Sequence, residues 1–224
     1  MGEAFYRASH VVLGPLIRGL WRVSYDGLEN IPPEGPAILA SNHLSFMDHF
    51  LLPAGFKRPL YFISKAEHFD SPVKKVFFDA WNVIPLRRGQ SDQEAMDRAR
   101  DVLREGRLFC IYPEGTRSVD RKLHRGRTGV ARLALELAVP VVPVAMIDTD
   151  LILPKGKSVP SFHKGGVRIG RPLRFPEHEG MQGDRKATRD VTDRIMRAIG
   201  ALSGQEYVDD YTKNPEYSAK EAAA

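Results

Sequence analysis

Short apolar runs rich in Val, Ile and Leu alternate along this chain with longer stretches of helical period, and that alternation restricts it to a sheet covered by helices. The runs fall at 37–41, 59–63, 83–86, 108–112, 139–147 and 167–169, after a shorter strand and turn at 23–27. Between them, 91–105 carries Ala95, Ala99, Val102 and Leu103 on one face. Ser91 and Glu94 make a capping box at its start, and Gly106 stops it. The stretch 128–138 turns Val130, Leu133, Ala134 and Leu137 inward, and 184–202 does the same with Val191, Ile195, Ala198 and Ile199. The reading is a single α/β domain over 23–204, with a central mostly parallel or mixed sheet and helices on both faces. A segment at 1–22 precedes it, and a tail at 205–224 has no clear period.

The 224 residues, 42% of them hydrophobic, suffice for one sizeable core. The one cysteine, Cys110, excludes a disulfide framework within the chain and points to a reducing compartment. It sits in the apolar run at 108–112, where a buried thiol is expected rather than a nucleophile. A formal net charge of +5 suits an anionic partner, whether nucleic acid, anionic lipid or a phosphorylated substrate. Zinc-finger spacing, RNP-like aromatics and a long basic arm are missing, so no nucleic-acid partner is expected.

Residues 4–22 combine Val11, Val12, Leu13, Leu16, Ile17, Leu20 and Trp21 with Arg7, His10, Arg18 and Arg22. The uncharged part is shorter than the roughly 20 residues that span a bilayer, and it lacks a signal peptide's small-residue cleavage site. An amphipathic helix is expected, lying in a lipid interface or packed on the protein's own core.

The run at 37–41 leads into Asn42-His43-Leu44-Ser45-Phe46-Met47-Asp48. On one helix His43 and Asp48 would point about 140° apart, at roughly 100° per residue. They meet only if a helix begins between them, with Ser45 as N-cap and Asp48 in the first turn. A carboxylate so placed accepts a proton from one imidazole nitrogen and leaves the other as a base. The same Ser45-x-x-Asp48 spacing is also a plain capping box, and spacing alone does not separate the two. A metal held by His43, Asp48 and His49 would lack a second ligand cluster in the sequence.

Other runs end in polar groups as well: Lys65 after one, Arg87 and Arg88 after another, Glu114-Gly115-Thr116-Arg117 after a third. In an open sheet such loops converge on one crevice. Arginine forks match phosphate oxygens, and Gly115 lets a ligand approach the backbone. The basic stretch Arg121, Lys122, Arg125 and Arg127 is either a solvated loop or a face for anionic lipid or a nucleotide phosphate.

Four segments occur in order: Asn42-His43-x-x-x-x-Asp48, Val83-Ile84-Pro85-Leu86-Arg87-Arg88, Tyr112-Pro113-Glu114-Gly115-Thr116-Arg117-Ser118 and Val139-Pro140-Val141-Val142-Pro143-Val144. Over residues 23–170 this order resembles the glycerolipid acyltransferases, the 1-acyl-sn-glycerol-3-phosphate acyltransferase family. The chain departs from that pattern at Asn82, Arg87 and Tyr112, where the family often has Gly, an acid and Phe.

The resemblance implies transfer of a fatty acyl group from acyl-CoA or acyl carrier protein to a hydroxyl of a glycerol-phosphate lipid precursor such as 1-acylglycerol 3-phosphate. It implies a peripheral or monotopic enzyme on the cytoplasmic face of a membrane, with no cofactor beyond the acyl donor. It makes His43 the general base and Asp48 its orienting partner. Arg88 and Arg117 would hold the acceptor phosphate, Glu114, Gly115 and Thr116 would shape the site, and Lys65 is a further phosphate ligand. Phe62, Phe69, Phe77 and Trp81 become candidates for an acyl channel, and a backbone N–H near Val141 or Val142 for the oxyanion donor. Without a Gly-x-Ser-x-Gly elbow, direct attack in a ternary complex is expected. Two rivals use the same surfaces: a hydrolase in which the base activates water, and a non-catalytic lipid-binding module.

Overall fold

In the computed structural model, which describes residues 3–65, 81–86 and 92–212, the apolar runs become strands. In chain order these are β1 (Ser24–Asp26), β2 (Ala37–Ser41), β3 (Leu60–Lys65), β4 (Val83–Leu86), β5 (Leu108–Ile111), β6 (Leu123–His124), β7 (Val141–Ile147), β8 (Gly166–Ile169) and β9 (Tyr207–Val208). Seven of them form one sheet in the order β1-β8-β7-β2-β5-β3-β4, and β6 pairs with β9 separately. All neighbours in the large sheet are parallel except β7 and β8, which makes the sheet mixed. β2 is central, with Ala40 beside Ile111 of β5 and Ser41 beside Val144 of β7. All its residues are buried, as a parallel strand covered on both faces requires.

Strand alternation divides the core in two. Ala37, Leu39, Cys110, Val142 and Val144 face one side, against Phe50, Leu51 and Ile152. Ile38, Ala40, Phe109 and Val141 face the other, against Ala99, Leu133, Val191 and Ile195. Helices Asp92–Arg104, Gly129–Leu137 and Arg185–Ser203 cover this second face with their apolar stripes. Asp184 caps the last of them, its carboxylate accepting the N–H groups of Lys186 and Ala187 at 2.8 Å. The start proposed at Ser91 lies outside the described residues.

The helix Glu3–Leu20, together with Asp48–Leu51 and Thr149–Ile152, lies on the first face. Its inner side buries Tyr6 and Ile17, and the Tyr6 and His10 rings pack edge-on to Trp81 at 6.4 and 5.6 Å. Its outer side leaves Val11, Val12 and Leu16 59–74% exposed. The helix therefore packs on the core, as one of the two readings expected, and also presents an exposed apolar stripe. No helix among the described residues is long and apolar enough to cross a membrane.

Residues 205–212 fold back along the basic stretch through β6 and β9. Lys122 pairs with Glu206 at 2.9 Å, Arg125 with Asp209 at 3.6 Å, and Arg121 with Asp148 and, at 3.3 Å, with Asp150. The Arg125 and Arg127 guanidiniums lie over the Tyr211 ring. Arg121, Lys122 and Arg125 of the basic stretch thus pair with carboxylates of the same molecule rather than standing free.

Candidate active site

The chain leaves the sheet at Asn42, which is fully buried and ties β2 to β7. Its Oδ1 accepts the Met146 N–H at 2.7 Å, while Nδ2 donates to the Met146 carbonyl at 3.1 Å and to Gln205 Oε1 at 2.7 Å. Next comes a loop built around a buried carboxylate. Asp48 Oδ2 accepts from His43 Nδ1 at 2.8 Å and from the N–H groups of Leu44 and Ser45 at 2.9 and 3.0 Å. Oδ1 accepts the Thr149 hydroxyl. Both oxygens are thus satisfied in a place without water access.

Dyad and capping box turn out not to be alternatives. The same Oδ2 holds the imidazole and makes the backward bond to Ser45 N–H that a capping box would make. The cap residue itself is corrected. The helix starts at Asp48 with Met47 before it, already in the right-handed helical region. The Ser45 hydroxyl is instead spent on the Leu153 carbonyl at 2.8 Å and accepts the Met47 N–H at 3.2 Å. Since a carboxylate only accepts, His43 carries its proton on Nδ1 and keeps a lone pair on Nε2. The Tyr112 ring stacks on the imidazole at 3.9 Å and 15°, and His49 meets it edge-on at 5.4 Å, so the ring plane is fixed from two sides.

The turn after β5 supplies the second wall. Ser118 N–H donates to the His43 carbonyl at 2.8 Å, which couples this turn to the dyad loop. Gly115 sits at φ 77°, a conformation that a side chain would strain, and closes the turn with its N–H on the Tyr112 carbonyl at 2.9 Å. Glu114 is 2% exposed and does not line the cavity described below. Its Oε2 accepts the His124 N–H at 3.0 Å. Burial pushes its pKa up to about 7, partly opposed by hydrogen bonds from the His124 and His43 backbone. Burial also pushes the Cys110 thiol and the Tyr112 hydroxyl well up, so Cys110 stays a protonated core group as the sequence implied.

Between these walls lies a cavity of about 330 Å³. His43, Gly115, Thr116 and Arg117 form its polar part, and Ile63, Met96, Ala99, Phe109 and Leu133 its apolar part. The structure therefore brings together His43, Asp48, Gly115, Thr116 and Arg117. Lys65 ends β3 at the same carboxyl edge of the sheet, but its side chain is outside the described set, and Arg88, Phe69 and Phe77 lie outside the described residues. Phe62 and Trp81 are corrected: they belong to the core on the first face, Phe62 against His49 and Trp81 against Phe50. The oxyanion suggestion fails too. Val141 N–H is spent on the Leu173 carbonyl at 2.9 Å, and Val142 lies within the β2–β7 pairing. Sequence reasoning missed Thr149 as a partner of Asp48, 101 residues away, with no local pattern to mark it. Ala95 and Ala99 were visible only as part of the apolar stripe of their helix, and Met96, which lines the cavity beside them, was not read at all.

A family model described as Acyltransferase matches residues 22–147. A chloroplastic 1-acyl-sn-glycerol-3-phosphate acyltransferase of Arabidopsis thaliana is 33% identical over 66% of this chain and 42% of its own length. A lyso-ornithine lipid O-acyltransferase of Pseudomonas aeruginosa is 34% identical over 51% of this chain and 44% of its own. The chain thus spans less than half the length of these relatives. The crystal structure of a 1-acyl-sn-glycerophosphate acyltransferase from Thermotoga maritima superposes with a TM-score of 0.61 at 27% identity, over 87% of this chain and 82% of that one.

Proposed function

The chain belongs to the acyltransferase family, and from that premise we propose that it transfers a fatty acyl group from a thioester donor to the free hydroxyl of a 1-acylglycerol 3-phosphate in phospholipid synthesis. The observation that carries this reading is an imidazole held by a buried carboxylate where an apolar cavity meets an arginine. His43 Nε2 takes the proton of the acceptor hydroxyl as its oxygen attacks the thioester carbonyl. Asp48 stabilises the imidazolium so formed. Collapse of the tetrahedral intermediate breaks the C–S bond, and the imidazolium returns the proton to the leaving sulfur. The apolar lining from Ile63 to Leu133 takes the acyl chain, and Arg117 takes the acceptor phosphate through its fork. Glu114 acts as a positioning residue that holds the 112–118 turn to β6. No cofactor takes part. The donor is a thioester of coenzyme A or of acyl carrier protein, which sets the reaction on the cytoplasmic side.

The outer stripe of the N-terminal helix docks the enzyme on the lipid surface that supplies its acceptor. Burying a side chain such as Leu16 contributes roughly 1.5–3 kcal/mol, and each basic residue near an anionic surface adds about 1 kcal/mol. The test incubates purified protein with labelled acyl-CoA or acyl carrier protein and a panel of phosphorylated and phosphate-free lysolipids, read by mass spectrometry. Acylated lipid that vanishes in His43→Ala supports the transfer. Free fatty acid released at the same rate with and without acceptor would make it a hydrolase instead.

A further inference from the structure

A second apolar protrusion stands beside the C-terminal end of the N-terminal helix. The loop at 154–164 carries Lys155, Lys157, Val159, Phe162, His163 and Lys164 and has no acidic residue. Val159 and Phe162, at 81% and 80%, are the most exposed large apolar side chains among the described residues. The loop is braced, not loose. Ser161 donates its N–H to the Ile152 carbonyl at 2.7 Å and its hydroxyl to the Leu151 carbonyl at 2.6 Å. Trp21 Nε1 donates to the Ser161 carbonyl at 2.9 Å, and Gly165 N–H to the Trp21 carbonyl at 3.3 Å. The residue pinned to Trp21 is therefore the one just before Phe162. Trp21 is thereby taken out of the exposed stripe and made into the joint between helix and loop.

Holding a phenylalanine and a valine out in water is unfavourable unless something apolar receives them. Lysines on the same loop, none of them ion-paired among the described residues, call for an anionic partner. An apolar layer behind a sheet of phosphates satisfies both demands. We propose that the 154–164 loop is a second membrane anchor, inserting Val159 and Phe162 into an anionic leaflet while Lys155, Lys157 and Lys164 meet lipid phosphates. This rests on the membrane docking proposed above for the helix. One helix lying in an interface lets the body roll about the helix axis. A second contact braced to its end stops that roll and fixes how the cavity meets the lipid surface.

The test uses the full chain in co-sedimentation with phosphatidylcholine vesicles and with vesicles doped with phosphatidylglycerol. Phe162→Glu is expected to weaken binding about tenfold or more, as the loss of one buried aromatic side chain implies. Joint replacement of Lys155, Lys157 and Lys164 by Gln is expected to weaken binding to doped vesicles only and to flatten its salt dependence. Phe162→Trp, compared with the parent chain, is expected to add fluorescence that brominated lipids quench. Turnover of a short-chain acyl donor in detergent stays unchanged in Phe162→Glu, which checks the fold. If Phe162→Glu binds as the parent does while Leu16→Glu does not, the loop is no anchor and the helix reading stands. If neither variant loses binding, both fall. An unquenched Phe162→Trp that still binds would overturn insertion and leave the loop to contact a protein.

Discussion

Replacing Asp48 by Asn separates charge from geometry at the dyad. The amide oxygen must take the Oδ2 place, because a flipped amide would aim its N–H groups at those of Leu44 and Ser45. The amide nitrogen then faces Thr149, whose hydroxyl rotates to accept. Every hydrogen bond is kept, including the one that fixes Nδ1 as the protonated nitrogen, and only the negative charge is lost. With charge centres about 4 Å apart, an effective dielectric constant of about 20 gives ~4 kcal/mol of stabilisation for the imidazolium. That corresponds to a fall in kcat of about a thousandfold. Unfolding stability should change by less than about 1 kcal/mol. Asp48→Ala, by contrast, orphans the His43 Nδ1–H, two backbone N–H groups and a hydroxyl and should lose about 2–4 kcal/mol. Thioester turnover by thiol release, alongside denaturant unfolding, measures both quantities. Turnover of Asp48→Asn within tenfold of the parent, in a folded protein, would refute the dyad and leave Asp48 as a capping residue.

Arg117→Lys keeps the charge and loses the fork, so the KM for phosphorylated acceptors should rise about tenfold with the donor KM unchanged; an equal loss with phosphate-free lysolipids would refute the assignment. Ala95→Phe narrows the cavity beside Met96 and should lower kcat/KM for long acyl donors about tenfold more than for short ones, read with a chain-length series. Glu114 is held near 7 in the fold against an ordinary 4.5, so it costs stability as pH rises through that window. In the unfolded chain it ionises first, and the native state then binds the extra proton. The parent should lose about 3 kcal/mol relative to Glu114→Gln between pH 4 and 8, measured as the difference between their unfolding curves.

Much of this molecule is written in local order. The runs 37–41 and 108–112 read as buried strands and are β2 and β5, and from the stripe of the helix between them Ala99, Val102 and Leu103 cover the sheet, because period and apolarity act over neighbouring residues. The meeting of His43 and Asp48 was legible for the same reason: both lie in one loop, and a helix start between them is a local event. Where local spacing left two readings, as at Ser45-x-x-Asp48, the structure shows that one carboxylate oxygen serves both.

Tertiary structure decided what depends on partners far apart in the chain. The Ser45 hydroxyl, besides accepting the Met47 N–H, reaches the Leu153 carbonyl 108 residues on, a partner that no local pattern marks. Thr149 completes the Asp48 site only because β7 ends beside β2 in the sheet. Aromatic residues look alike in sequence whether they line a channel or fill a core: Phe62 and Trp81 fill the core of one face, while the cavity opens between Phe46 and Tyr112 on that side and Met96, Ala99 and Leu133 on the other. The basic stretch at 121–127 carries the same charges in either case. Whether they face outward or meet Asp148, Glu206 and Asp209 depends on a return of the chain that no short-range pattern records.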